Sequence, residues 1–543
     1  MPNRFHSRRL HAFLSIASFL LLTLLAPSHV EGVGKTAAVH PRAAVTSAQG
    51  AKQRLRRVPS LRRRVESILA GSEARRGFWG IEVIRLSDGK TLYSRFANEL
   101  FQPASNLKLF TTAASIEKLG PDFVFRTTVE SAAAPDAEGR VSDLVLVGRG
   151  DPDLSGRVLP YEYNSEWQMP GDAAFLELAD QVAARGVRKV SGDLILDDRY
   201  FLYEPHSHGW TIEDSQWGYA APVTALAFND NALRLQVEPG DAVGKPARVW
   251  LEPVGDYYHL NDQVATATAR TPRKIFLERA CGSRQLDVWG ETPLGGKSAE
   301  DWVAVDDPSE LIGDLFLRAL NERGVLVRGR VVARHLTRAE AAMRPENVTE
   351  TPPRVVLAEH VSLPLRETVK ITNKASHNFH AEMLLRTLGR EVKDFGSLTT
   401  GLEVLSEFAI RAGVAPEEVH FADGSGLSRE DLVTPHAIAL LLAYMARSPN
   451  AEAFFESLPV AGMDGTLAER FGRTSAKGRI AAKTGTLEHV NALSGYMNLR
   501  SGERLAFSIL GNSHLLKSGE AVRVVDQIAL AIFDSFDSGP GTR

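Results

Sequence analysis

Three short runs along the chain carry the side chains of an acyl-transfer site: Ser105-Asn-Leu-Lys108, Ser376-His-Asn378 and Lys483-Thr-Gly485. A serine hydroxyl is a weak nucleophile and needs a base within hydrogen-bond reach. Lys108, three residues after Ser105, can be that base once burial and the charge of Lys483 lower its pKa. Ser376 can pass a proton to a leaving amine, and Asn378 can orient Lys108 and a substrate amide. Lys483 with the hydroxyls of Thr484 and Thr486 suits a carboxylate, and Gly485 lets a substrate backbone lie against its strand. The backbone N–H groups of Ser105 and Thr486 are the natural oxyanion donors. This chemistry needs no cofactor, and no metal-ligand set is read from the sequence.

Each motif recurs by chance, and position separates the copies. Ser115-Ile-Glu-Lys118 lies deep in a helical pattern, where the Ser115 hydroxyl lacks a positive helix end and packs or bonds to a backbone carbonyl. Ser448-Pro-Asn450 falls in a helix-ending loop, and Lys517-Ser-Gly519 falls in a turn between a strand and a helix. His377 and His489 have no partnered acid at a telling spacing, so a Ser-His-Asp scheme is set aside and both are read as surface or supporting residues.

The elements that must hold these groups are legible as periodicities. Apolar residues at Leu107, Phe110, Ala113, Ala114 and Leu119 follow a helical period and put Ser105 in the first turn, with Lys108 on the same face. Ile81 and Val83 with Leu92 and Tyr93 flank Ser87-Asp-Gly-Lys90, a hairpin signal. Residues 480–487, 492–499 and 504–510 read as an antiparallel meander carrying Lys483, and 520–533 as a closing helix. Ser376 is expected to start a buried helix reaching Leu388, and 435–445 is another, strongly apolar one. Between the first two motifs, residues 123–354 mix short strands with helices at 173–185 and 308–323, the reading expected of inserted modules.

The 543 residues carry a formal charge of −3. That near-balance hides a split, because residues 1–64 hold twelve Lys and Arg but a single acid, Glu31. The remaining chain is strongly acidic, which excludes nucleic-acid binding by counterion release. Arg4, Arg8 and Arg9 precede an apolar run from Ala12 to Ala26, shorter than the roughly 20 residues of a membrane span. It reads as a signal peptide, placed at 1–32, on an exported periplasmic or envelope protein. Residues 33–60 read as a basic flexible tether, with Lys52, Arg54, Arg56 and Arg57 able to touch anionic lipid or wall polymer weakly. The single cysteine, Cys281, forms no internal disulfide.

With the motifs and their order in hand, the chain resembles the low-molecular-mass penicillin-binding proteins of the D-alanyl-D-alanine carboxypeptidase/endopeptidase family that carry inserted domains. The resemblance runs from about Leu61 to Phe536 and rests on long stretches. Among them are Pro103-Ala-Ser-Asn-Leu-Lys-Leu-Phe-Thr-Thr112, Tyr219-Ala-Ala-Pro222, Asn373-Lys-Ala-Ser-His-Asn378 and Asp423-Gly-Ser-Gly-Leu-Ser-Arg429. It implies an α/β (α+β) transpeptidase-like domain, an antiparallel sheet with helices on both sides and a helical subdomain. Two nested domains would interrupt it. The expected division is 61–122 with 355–537 for catalysis, 123–231 with 301–354 for the second domain, 232–300 for the third, and a tail at 538–543.

The implied activity is serine-type D-Ala-D-Ala carboxypeptidase or DD-endopeptidase on peptidoglycan stem peptides and cross-links, through an acyl-serine that β-lactams would trap. It implies too that Asp214 and Tyr219 reach from the insert over the cleft, with Arg429 as a cation, for a substrate side chain bearing an amine and a carboxylate. His377 and Glu488 depart from the family's usual residues and bear on substrate preference. Two other functions remain open at this stage: a serine β-lactamase, which needs a water-activating group the sequence does not display, and a wall-binding scaffold on a degenerate enzyme fold.

Overall fold

The computed structural model describes residues 60–537 apart from 72–73, 159, 162–170, 254 and 344–352. The expected signal segment, the tether up to residue 59 and the tail lie outside the described residues.

The N- and C-terminal parts of this range share one five-stranded antiparallel sheet, in the order Ile480–Leu487, Val490–Asn498, Arg504–Asn512, Phe78–Arg85, Thr91–Arg95. Phe78–Arg85 is the seam: it pairs with its hairpin partner on one side and with Arg504–Asn512 on the other, Phe78 opposite Asn512. Side chains alternate across a strand, and here both faces are apolar. Leu493, Phe507 and Ile509 pack on the terminal helices Leu61–Leu69 and Ser518–Asp537 through Val65, Ile528 and Ile532. Ala492, Tyr496, Ala506 and Leu510 face the opposite way, toward a helical layer. That layer contains Lys108–Leu119, Leu365–Lys374, Asn378–Lys393, Leu398–Arg411 and Pro435–Met445. Its cluster includes the fully buried Phe110, Leu384 and Phe408, each worth about 1.5–3 kcal/mol of apolar burial. Arg64, the last of the basic run, pairs with Asp534 on the closing helix at 3.4 Å.

Strands from the region between the first two motifs join other sheets. One mixed five-stranded sheet has the order Val331–Leu336, Leu194–Leu202, Leu144–Val147, Arg126–Ser131, Val355–Val361. The helices Ala173–Ala184 and Pro308–Glu322 share its core through Phe175 and Phe316. Within this region Ala232–Glu238 pairs with Arg248–Glu252 and Ala299–Ala304, and a second three-stranded sheet follows from His259–Ala267, Gln285–Pro293 and Lys274–Glu278. One expected boundary shifts. Val355–Val361, assigned from sequence to the second catalytic segment, hydrogen-bonds to Arg126–Ser131 and so belongs to the insert's sheet. The helical segment begins only at Leu365, after Pro364.

Candidate active site

Ser105 stands in a tight turn, Ala104–Leu107, that runs directly into the helix Lys108–Leu119. Ala104 takes a left-handed φ of 47° to make the turn. The loop after Asp423 closes on it: Gly426 has φ 77°, and a Cβ there would lie 1.9 Å from the Ala104 carbonyl oxygen, so only glycine fits.

Lys108 is fully buried and has three polar neighbours: Ser105 Oγ at 2.9 Å, Asn378 Oδ1 at 2.6 Å and the Ser425 carbonyl at 2.7 Å. An ammonium donates to all three. A neutral amine donates to the two obligate acceptors, Asn378 Oδ1 and Ser425 O, and presents its lone pair to the Ser105 hydroxyl. The site therefore accommodates both protonation states without moving a heavy atom. Burial pulls the Lys108 pKa down to about 7, against the opposing pull of Asp423, Glu382 and Asp431. Desolvation outweighs those buried acids.

Lys483 is also fully buried, and its Nζ donates to Ser376 Oγ at 2.7 Å and to the Thr484 carbonyl at 2.9 Å. Burial and then the neighbouring Lys108 push its pKa well below the usual lysine range. Ser376 occupies the corner between Leu365–Lys374 and Asn378–Lys393 with a left-handed φ of 61°. It precedes the helix instead of starting it, and His377 is the N-cap. Asn378 uses both ends of its amide: Oδ1 accepts from Lys108, and Nδ2 donates to the Tyr219 carbonyl at 2.9 Å. Its donor end is thus tied to the insert, where the sequence reading had offered it to substrate.

The strand Ile480–Leu487 meets the nucleophile's turn at two points. Asn106 Nδ2 donates to the Lys483 carbonyl at 3.1 Å. A Cβ on Gly485 would lie 2.9 Å from the Pro103 carbonyl oxygen. The glycine therefore admits the chain's own turn at this position, a different close approach from the one expected. Thr484 and Thr486, two residues apart on this strand, lie on the same face. The Thr484 hydroxyl donates to Thr466 at 2.9 Å, and Thr486 Oγ1 accepts from Asn491 at 3.3 Å.

A cleft of about 410 Å³ is lined by Ser105, Ser376, Asn378 and Thr486 together with Asp214, Tyr219 and Arg429. Asp214 is largely buried; its Oδ2 accepts from Thr211 N at 3.1 Å and Thr211 Oγ1 at 2.9 Å. Its Oδ1 accepts from the Tyr219 hydroxyl at 3.0 Å. Burial and that carboxylate raise the Tyr219 pKa, so the phenol stays a donor. Arg429 Nη1 donates to the Leu427 carbonyl at 2.9 Å. Glu488 is exposed at the rim.

Ser115 Oγ donates to the Thr111 carbonyl at 2.8 Å, as expected of the decoy serine. His489 is exposed, and its Nδ1 donates to the His514 carbonyl at 2.9 Å. His377 takes the supporting side of its reading: it is part-exposed, and its Nε2 lies 3.1 Å from Asp230 Oδ2 of the insert.

Sequence reasoning missed the groups beneath Lys108. The Asp423 carboxylate accepts from the backbone N–H groups of Ser425, Gly426, Leu427 and Ser428, and from Trp210 Nε1 at 2.9 Å. Glu382 Oε1 accepts from Gly424 N at 2.8 Å, and its Oε2 meets the buried Arg386 at 2.9 Å. The glycine-rich run after Asp423 was the available signal for the first. Glu382 gave none beyond sitting on the apolar side of its helix.

The fold and much of the sequence recur in known proteins. The chain is 36% identical over 498 residues to the D-alanyl-D-alanine carboxypeptidase of an Actinomadura species, covering 90% of this chain and 87% of that one. Its structure is similar to the crystal structure of penicillin binding protein 4 from Haemophilus influenzae, with TM-score 0.72 at 22% identity, covering 87% of this chain and 99% of the other. A complex of that Haemophilus protein with a β-lactam matches with TM-score 0.65, again at 22% identity, over 86% of this chain and 98% of the other. The model of the D-Ala-D-Ala carboxypeptidase 3 (S13) family matches residues 61–532, and the chain belongs to that family, the serine-type D-Ala-D-Ala carboxypeptidases.

Proposed function

We propose that Ser105 is the residue acylated and that Lys108 takes its proton. The observation that carries this is the partner set of Lys108, two fixed carbonyl-type acceptors and one serine hydroxyl around an amine whose pKa is brought to about 7. Ser105 Oγ attacks the carbonyl of the penultimate D-Ala of a stem peptide. The oxyanion forms between the N–H groups of Ser105 and Thr486. The C–N bond breaks, and the leaving D-Ala amine takes a proton through Ser376, whose hydroxyl lies on Lys483 Nζ. Water then cleaves the acyl-serine and restores the hydroxyl.

Lys483 and Thr486 are assigned the terminal carboxylate. Among the described residues no carboxylate lies at hydrogen-bond distance from the buried Lys483 amine, so a substrate carboxylate would favour its charged form most, which supports that assignment. The same acyl-enzyme arises from a D-Ala to diaminopimelate cross-link, so endopeptidase activity needs only a larger leaving group. Asp214, with Tyr219 held against it, and Arg429 face the cleft where such a substrate's polar side chain would lie. A β-lactam would be trapped at Ser105 by the same attack. Export to the envelope, where the substrate is, fits the basic start and apolar run of the sequence. Among the described residues, no helix is long and apolar enough to cross a membrane.

Incubation with a fluorescent penicillin tests the reading. A stable label is expected, whereas rapid turnover would make the protein a β-lactamase and the absence of label a scaffold. Products released from purified peptidoglycan then divide D-Ala release from cross-link cleavage.

A further inference from the structure

The second motif is gripped from the inserted region. Between Phe228 and Ala232 the chain passes through three consecutive left-handed residues, Asn229, Asp230 and Asn231, with φ of 52°, 58° and 52°. None is glycine, and although Asn and Asp enter the left-handed region more readily than other L-residues, they do so as single residues and not in runs of three. The flanking asparagines hold the turn in place. Asn231 Nδ2 donates to the Pro222 carbonyl at 2.8 Å and to Thr224 Oγ1 at 3.0 Å, and Asn229 Nδ2 donates to the Ala232 carbonyl at 2.9 Å. Strain of this kind persists only where surrounding structure enforces it, and it concentrates at functional sites.

The turn delivers one carboxylate to one place. Asp230 Oδ2 lies 3.1 Å from His377 Nε2, and Oδ1 lies 2.9 Å from Nε2 of the fully buried His380. Arg157 Nη2 donates to Oδ2 at 2.7 Å. Burial alone would raise the acid, but the charges of His377 and Arg157 and the two imidazole hydrogen bonds hold it well below the ordinary carboxylate range. His377 is the middle residue of Ser376-His377-Asn378, and His380 sits one turn further along the same helix. On the other side of His380, Nδ1 lies 3.7 Å from Asp153 Oδ1.

Resting on the reading that Ser376 and Asn378 serve acylation at Ser105, we propose that Asp230 is a positioning residue: by holding His377 it fixes the corner that presents Ser376 to Lys483 and Asn378 to Lys108. The corner is left-handed at Ser376, and the two contacts it must keep are 2.7 Å and 2.6 Å long. Misplacement by about 1 Å at such a site costs up to about a hundredfold in rate. Asp230, His377 and His380 each offer one ligand atom within 4.8 Å of the others, the arrangement of a three-ligand metal site. The Arg157 guanidinium on Oδ2 argues for an ion-pair anchor instead, because a divalent cation there would face a like charge at close range. The anchor gives the insert a direct hold on the catalytic corner.

A double-mutant cycle tests this in the full chain with Asp230→Asn, His377→Asn and both together. The readout is penicillin acylation, resolved into the initial dissociation constant and the acylation rate constant. Each single change should slow the acylation rate constant by roughly tenfold to a hundredfold and leave the dissociation constant within about twofold. The double variant should be no more than about twofold slower than the slower single variant, since both remove the same link. Losses that multiply, or a wild-type rate in either single variant, would overturn the proposal. If Asp230→Asn does not fold, His377→Asn decides alone, since that side chain is part-exposed: a slowed rate with unchanged dissociation constant supports the anchor, and a wild-type rate overturns it. Ser105→Ala separates the two levels. Label retained there refutes the nucleophile assignment, whereas label lost there with wild-type rates in the other variants refutes the anchor alone.

Discussion

If Lys108 is the base, acylation must follow its protonation, rising as the amine loses its proton. Burial brings the Lys108 pKa to about 7. The neutral fraction is then about one tenth at pH 6 and about nine tenths at pH 8. The second-order rate constant for penicillin acylation should therefore rise about tenfold over that interval. This constant reports the free enzyme, and the penicillin carboxylate stays ionised throughout, so the midpoint belongs to the protein. The measurement is the rate of fluorescent labelling from pH 5.5 to 9 with penicillin well below saturation. Lys108→Arg sharpens the test, because a guanidinium keeps the charge but does not give up its proton at these pH values. It should lose roughly the 10²–10⁴-fold contribution of a general base, and with it the pH dependence. A flat profile between pH 6 and 8, or Lys108→Arg within tenfold of wild type, would refute the assignment of Lys108 as base.

Ser105→Ala should abolish penicillin labelling, and Ser115→Ala should leave it intact, because the Ser115 hydroxyl is spent on the Thr111 carbonyl; labelling is read on a gel, and the opposite pattern removes the nucleophile assignment. Lys483→Ala takes away a charge-assisted contact of about 1.5–3 kcal/mol and the partner of Ser376, so acylation should slow more than tenfold; an unchanged rate would point to Arg429 as the carboxylate's cation. Asp214→Asn should lower kcat/KM for a stem peptide with a free side-chain amine by about 1–3 kcal/mol while penicillin acylation holds. Equal losses on the two ligands would mean that Asp214, which also accepts from Thr211, serves the turn and not the substrate.

What the sequence made legible was local. Pro435–Met445 could be placed to the residue because Thr434 caps it, Pro435 opens it and the apolar run is unbroken. The meander from Ile480 to Asn512 followed from alternation and a Ser-Gly turn. What escaped depends on partners distant in the chain. Nothing near Asn106 says that its amide will reach the Lys483 carbonyl. Nothing near His377 announces Asp230, which arrives from a strained turn in another domain. The misplaced strand Val355–Val361 is locally ambiguous, and only its pairing with Arg126–Ser131 settles where it belongs.

Two buried lysines stand behind this cleft, one on Ser105 and one on Ser376, and the mechanism needs one of them neutral and the other charged. Burial alone treats both alike, since it lowers the pKa of any ammonium. Their surroundings differ. Lys108 stands above Asp423 and Glu382, which oppose its desolvation and keep it near pH 7, where it can give and take a proton. Among the described residues, Lys483 has only hydroxyl and carbonyl oxygens at hydrogen-bond distance, and Lys108 presses its pKa further down. On the proposed mechanism the missing anion is the substrate's own carboxylate. Its arrival favours the charged form of Lys483, and that charge in turn favours the neutral form of Lys108. Binding and activation of the nucleophile are then one electrostatic event, and a ligand without a carboxylate should acylate Ser105 poorly even when it fits the cleft.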